Sequence, residues 1–497
     1  MFEKVLVANR GEIAVRVISA CQELGIKTVG VYSAVDIHAP HVHIADEVYN
    51  LGDPEPLSSY LNIDKIITAA QETGADAIHP GYGFLAEHYI FAECCTKEGI
   101  TFIGPSSKVI QRMGRKVEAK TTIKKAGVPV IPGYHKGDQD IQTLIEEGEA
   151  LGFPLLIKAV AGGGGKGMRI VRKKEDLEKS IYACKREAEK SFGDGSIFLE
   201  KYVDRPRHIE FQVLGDDNGT MVHLYERECS IQRRHQKIIE ETPSPVLTPE
   251  LRKNMGEAAV KAAKAVDYTN AGTVEFMVDH DRNYYFLEMN TRLQVEHPIT
   301  EYVTGIDLVK WQLRIAAGEE LSLQQDKISQ RGHAIECRIY AEDPLNEFLP
   351  CAGTIHSMCL PQGVNIRNDT GIAPGITVTS FYDPLLAKVT VYAETRTDAL
   401  QKMAWALSKY SISGITTNIN FLQNVITHQA FKRGDVTTHF IEEHPEVFSD
   451  PVVPQQLKEK AAAVAYVMAK NLEKEKKVES TTGSAWKLAF RPGRWSF

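Results

Sequence analysis

No two cysteines in this 497-residue chain stand in a C-x-x-C spacing; the eight are scattered, and only Cys94 and Cys95 are adjacent. Neither a zinc site nor a disulfide framework is suggested, and reduced thiols are the expectation. The longest uncharged apolar run, AAAVAYVMA at 461–469, is far below the roughly 20 residues that a membrane span needs. The opening MFEKVLVANR lacks the charged start and long apolar core of a signal peptide. The expectation is a cytoplasmic protein with no membrane partner. A net charge of −7 argues against a general nucleic-acid binder, although local basic pockets stay open. The first turn reads ANRGEIA instead of G-x-G-x-x-G, so a nicotinamide site is not expected.

What is present is a chain of two to four domains by length, 43% hydrophobic and 25% charged. KVLVA, then the helical pattern EIAVRVISACQELG, then KTVGVYS read as strand, helix and strand, and a similar unit runs through DAIHPGYG to ITFIGP. This predicts a parallel, Rossmann-like α/β domain over 1–113. From 114 to 329 the pattern turns to shorter, turn-paired strands separated by helices, as in an α+β domain. A third domain is expected over 330–446, with strands at HAIECRIYAED and LLAKVTVYAE. After Pro451 a charged helical stretch, an STTGS linker and AWKLAFRPGRWSF form a tail over 447–497. The tail holds two of the four tryptophans together with Lys487, Arg491 and Arg494. Tryptophan and arginine are favoured at contact hot spots, which makes the tail a candidate contact with another protein chain.

AVAGGGGKGM joins two predicted strands. Glycine amides can close on phosphate oxygens in conformations other residues avoid. It is not a Walker A loop, because Gly167 follows Lys166 where Ser or Thr is needed. A lid over a nucleotide fits better, and Lys158, a charge in an otherwise apolar strand, needs an anionic partner.

GTVEFMVDHDRNYYFLEMN predicts a hairpin that sets Glu275 opposite Glu288, with Asn290 on the face of Glu288. Two carboxylates brought together call for a cation, and Mg²⁺ suits oxygen ligands shared with phosphates. Arg292 and Glu296, four apart, could be a simple salt-bridged pair, which on a surface is worth little. Beside a metal-nucleotide site they offer instead a cation for a small anion and a base for its proton.

These segments, together with AIHPGYGFLAE, RPRHIEFQVLGD, RECSIQRRHQK, LEMNTRLQVEHPITE and YDPLLAK, stand in the order and spacing of biotin carboxylase. The chain resembles that ATP-grasp family over about residues 1–445. The resemblance implies a Rossmann-like N-terminal domain, an ATP-grasp domain with a glycine-rich lid at about 130–203, and a C-terminal biotin carboxylase domain. It implies ATP, Mg²⁺ (or Mn²⁺), bicarbonate and biotin as cofactors and substrates. Lys116 and Lys158 would hold phosphates and Gly164 and Gly165 would close over them. Glu200, Lys201, Tyr202, Val203, His208, Gln232 and His235 would complete the nucleotide site, and Glu275, Glu288 and Asn290 would hold metal. Lys237, Arg292 and the Val295 backbone would bind bicarbonate, with Glu296 as its base. Arg338 would stabilise charge on the biotin ureido oxygen, and Tyr82 and Gln294 would flank biotin.

The chain departs from the family's pattern at Ala86, His88 and Ser19, while Glu87, Arg16 and Glu23 remain. No Ala-Met-Lys-Met sequence occurs; the nearest is VMAKN around Lys470. The expected partners are therefore a second copy in a homodimer, a separate biotin carboxyl carrier protein and a carboxyltransferase subunit.

Overall fold

The computed structural model describes residues 1–134, 137–160 and 168–449, with the single positions 463, 466, 467 and 470. Gly164, Gly165 and Lys166 of the expected lid loop lie outside the described residues, as does the tail segment AWKLAFRPGRWSF.

The first unit follows the predicted pattern. The apolar run of β1 (Lys4–Val7) leads into the helix Gly11–Glu23, whose Ile13, Ala14, Val17, Ile18 and Cys21 recur at helical spacing and are buried. With β2 (Lys27–Ser33), β3 (Glu47–Gly52), β4 (Ala77–His79) and β5 (Thr101–Phe102) it forms a wholly parallel sheet in the order β3-β2-β1-β4-β5.

A four-stranded sheet of β6 (Gly133–Tyr134), β7 (Leu155–Ala159), β8 (Met168–Val171) and β9 (Ile197–Lys201) follows, in the order β6-β9-β7-β8. β7 and β8 pair antiparallel from Leu155↔Val171 to Lys158↔Met168, as expected for strands flanking the glycine run. Leu144, Leu155, Ile157, Leu177, Ile181 and Leu199 give this sheet a core of its own.

The largest element is an eight-stranded antiparallel sheet. β10 (Arg207–Gly215), β11 (Met221–Arg233), β12 (Gln236–Thr242), β13 (Asn270–Val278), β14 (Tyr284–Asn290) and β15 (His333–Tyr340) run in the order β14-β13-β10-β11-β12-β15. The sheet continues through Leu385–Ala393 and ends at Ile366–Thr370. Its strands are longer than the sequence pattern suggested, because a bulge near Ile231 breaks the period of β11 without ending it. One sheet therefore crosses residue 329, since β12 pairs directly with β15.

Buried Glu241 clamps this seam. It accepts hydrogen bonds from His333 Nε2 at 2.7 Å and from Arg396 Nε and Nη2 at 2.7 and 3.0 Å. Burial alone would raise its carboxyl, but His333 and Arg396 outweigh it and hold it at about 2, below an ordinary 4.5. A depressed carboxyl contributes stability that is complete above its unfolded value and is lost as pH falls toward its folded value. The urea midpoint of the native chain should thus exceed that of Glu241→Gln at pH 6, and the gap should close as pH falls from 4.5 toward 2. A gap independent of pH would refute this role.

Among the described residues no helix is long and apolar enough to cross a membrane.

Candidate active site

A cleft of about 1260 Å³ opens beside the large sheet. Its lining brings together residues more than two hundred positions apart. They include Lys116, Lys158, Glu200, Lys201, Tyr202, Val203, His208, Gln232 and His235 on one side of the expected chemistry. Lys237, Glu275, Glu288, Asn290, Arg292, Gln294, Val295, Arg338 and Tyr82 line it as well. Strand alternation explains much of this. β13 and β14 are in register at Glu275↔Glu288, as the hairpin predicted, and β10 sets Glu210 opposite Glu275.

Glu296, wholly buried, joins two of the site's cationic residues. Lys237 Nζ donates to Glu296 Oε1 at 2.8 Å, and Arg338 Nη2 donates to Glu296 Oε2 at 2.8 Å. Burial would raise the Glu296 carboxyl, yet Lys237, Arg338 and Arg227 together hold it well below the carboxylate range. The group is an ionised acceptor already oriented by two cations. Lys237 also donates to Glu275 Oε1 at 2.7 Å and to Glu210. Burial opposes its charge, but Glu210, Glu275 and Glu296 keep the ammonium far above its ordinary value. Arg338 is shared in turn with Glu240, whose Oε1 lies 2.6 Å from Nε. Burial, chiefly, raises Glu240 to about 7.

Arg292 does not form the four-residue pair with Glu296 that its spacing suggested; its Nε bonds Glu87 Oε2 at 2.8 Å. Its Nη1 donates to Gln294 Oε1 at 3.1 Å and to the Leu293 carbonyl at 3.1 Å. The departures from family pattern beside it are structurally quiet. Ala86 is buried, and His88 Nδ1 accepts from Phe91 N at 3.4 Å to cap the helix Tyr89–Lys97. Arg16 is paired within the chain to Glu301 and Asp307, and Glu23 to Lys310.

The metal-type donors are oxygen-rich. Glu275 is buried and accepts from Asn290 Nδ2 at 2.8 Å, while half-exposed Glu288 has Lys116 Nζ at 3.7 Å. Desolvation in the cleft and the facing Glu275 charge raise the Glu288 carboxyl. Excess negative charge on oxygen ligands suits a hard divalent cation, so the residues fit Mg²⁺ or Mn²⁺. Gln232 Nε2 donates to His208 Nδ1 at 2.9 Å, and His208 Nε2 lies 3.1 Å from Glu275 Oε2 without a hydrogen bond between them.

Models of three family domains match in succession: "Biotin carboxylase, N-terminal domain" at 1–110, "Carbamoyl-phosphate synthase L chain, ATP binding domain" at 115–324, and "Biotin carboxylase C-terminal domain" at 336–443. The biotin carboxylase of Halalkalibacterium halodurans is 53% identical over 447 residues, 90% of this chain and 99% of that protein. The chain belongs to the biotin carboxylase family. It is an ATP-grasp enzyme with the mixed α/β architecture of that family. A pyruvate carboxylase subunit from Methanothermobacter thermautotrophicus is 52% identical over 444 residues, 89% of this chain and 90% of that protein. Among solved structures, the biotin carboxylase domain dimer of Hydrogenobacter thermophilus 2-oxoglutarate carboxylase superposes with a TM-score of 0.85 at 51% identity, covering 90% of this chain and 99% of that one. That crystal contains MgADP, ADP and bicarbonate.

Several charged groups of this biotin carboxylase escaped sequence reasoning. Glu210 and fully buried Arg227 form an ion pair behind Lys237. The signal for Glu210 was its alternation with His208 and Gln212 between Ile209, Phe211 and Val213 on one strand. Lys388, buried in LLAKVTV, donates to the Val295 carbonyl at 2.5 Å. The reasoning that marked Lys158, a lone charge in an apolar strand, would have found it.

Proposed function

We propose that the chain carboxylates biotin borne by a separate carrier protein, as the biotin carboxylase subunit of an acetyl-CoA or other acyl-CoA carboxylase. The observation that carries the reading is the buried Glu296 carboxylate held directly behind the cleft by Lys237 and Arg338, which both line it. In the first half-reaction bicarbonate, held by Lys237, Arg292 and the Val295 amide, loses a proton to Glu296. Its oxygen attacks the γ-phosphorus of ATP, giving carboxyphosphate and ADP. Lys116 and Lys158 hold the phosphates, Gly164 and Gly165 close over them, and Glu200 to Val203 with His208, Gln232 and His235 line the nucleoside. A bound Mg²⁺ or Mn²⁺, held by Glu275, Glu288 and Asn290, supplies charge neutralisation on the phosphates. In the second half-reaction carboxyphosphate breaks to CO₂ and phosphate, and the phosphate takes the ureido N–H proton of biotin. The nitrogen then bonds to CO₂ while Arg338 neutralises the ureido oxygen, with Tyr82 and Gln294 flanking the ring.

The domain division 1–113, 114–329, 330–446 and 447–497 is part of this proposal, as are a homodimer, a carboxyltransferase partner and a cytosolic setting. The eight cysteines, all free, suit a reducing compartment. A second reading makes the chain the biotin carboxylase component of a two-subunit pyruvate or 2-oxoglutarate carboxylase, favoured by the two relatives of those enzymes. ADP release from MgATP should require bicarbonate and rise with free biotin. Nucleotide binding without bicarbonate-dependent release would refute catalysis. The carboxyltransferase that co-purifies decides between the two readings.

A further inference from the structure

Lys120 is marked by no motif, yet it stands one helical turn after Lys116 on the helix Lys116–Lys125, so the two share a face. It is only 8% exposed, and it lines the cleft together with Lys116 and Lys158. Lys120 Nζ donates to Oε1 of buried Glu200, and Lys158 Nζ donates to Oε2 of the same carboxylate at 2.7 Å. The Phe198 ring lies 5.6 and 5.9 Å from the two ammonium nitrogens. Burial, reinforced by Lys158 and Lys116, lowers the Lys120 ammonium in spite of Glu200.

Two ammonium groups on one carboxylate leave a surplus of positive charge on a largely desolvated wall, while Lys116 at the rim faces Glu288. Such a surplus is costly unless an anion completes it. An ammonium has three donors, and the bond to Glu200 uses one of them. Phe198 offers a ring face and no further negative charge, so the missing partner is an anion in the cleft.

We propose that Lys120 is a third lysine of the polyphosphate site, binding the phosphate chain of the nucleotide while Glu200 fixes the positions of Lys120 and Lys158. The inference rests on the ATP reading above and adds to it a residue that sets affinity for the charged part of the ligand. The competing role is a prop, in which Lys120 only orients Glu200 and never meets phosphate.

The two roles separate when ADP and adenosine are titrated into the full chain and its Lys120→Met and Lys120→Arg variants. Lys120→Met should weaken ADP about 10- to 100-fold, the range for a charged hydrogen bond, and adenosine by less than about twofold. Lys120→Arg should keep most of the ADP affinity, since it keeps the charge. Equal weakening of both ligands, or unchanged ADP binding, would overturn the proposal. Failure of the unaltered chain to bind ADP would instead overturn the nucleotide reading beneath it.

Discussion

Replacing Glu296 with glutamine should lower bicarbonate-dependent ADP release by about 100- to 10,000-fold, the span for loss of a positioned proton acceptor, while ADP binding by calorimetry stays nearly unchanged. The side chain is buried and is held by Lys237 and Arg338, both at 2.8 Å. An amide of the same shape keeps an acceptor oxygen for one of these cations but presents an N–H₂ to the other, and it cannot take a proton. The nucleotide-lining residues Lys116, Lys158, Glu200 and His235 make no hydrogen bond to Glu296 in the described network, which is why binding should survive. Loss of turnover and ADP binding together would show that the residue is structural or meets the nucleotide.

The second large effect concerns stability. Arg227 is fully buried and donates to Glu210 at 2.5 Å, Gln212 at 2.8 Å, Thr300 at 2.9 Å and Thr273 at 3.1 Å. Arg227→Met should cost about 3–5 kcal/mol, because removing one partner of a buried pair strands the other. The group left short of a cation is Glu210, which keeps only Lys237; burial already raises its carboxyl while Arg227 and Lys237 pull it down. Denaturant unfolding gives the loss directly. Adding Glu210→Gln to Arg227→Met should restore part of it, since the two residues are coupled. A single-variant loss under about 1 kcal/mol, as at an exposed pair, would mean that the site relaxes around the gap.

What was legible in the sequence was whatever repeats locally. The hairpin register Glu275↔Glu288 follows from two apolar strands and a turn, and the first helix follows from its spaced aliphatic residues. Most described residues of the expected site line one cleft because they sit in short contiguous segments such as 232–237 and 288–295, while Glu296 is buried behind it. What was not legible depends on strands that meet only on folding. The partners of Glu296 come from residue 237 and residue 338, and Arg292 found Glu87, 205 positions away, instead of its close neighbour. A two-residue period says which face a side chain takes, and says nothing about which strand lies beside it. Glu240 was hidden in the same way, as a charge on a strand whose neighbours were unknown, whereas Lys388 carried a signal in its apolar strand but none for its partner.

The pairing of β12 with β15 also limits how the polypeptide can be divided. A fragment ending at 329 would keep Lys237 and Glu296 but lose the neighbour of Gln236–Thr242, baring a row of unsatisfied peptide groups along a strand that is buried for most of its length. Bare edges of that kind recruit other chains. Such a fragment should assemble with itself through that strand, and recovery of monomers would require the C-terminal portion to be supplied in the same tube.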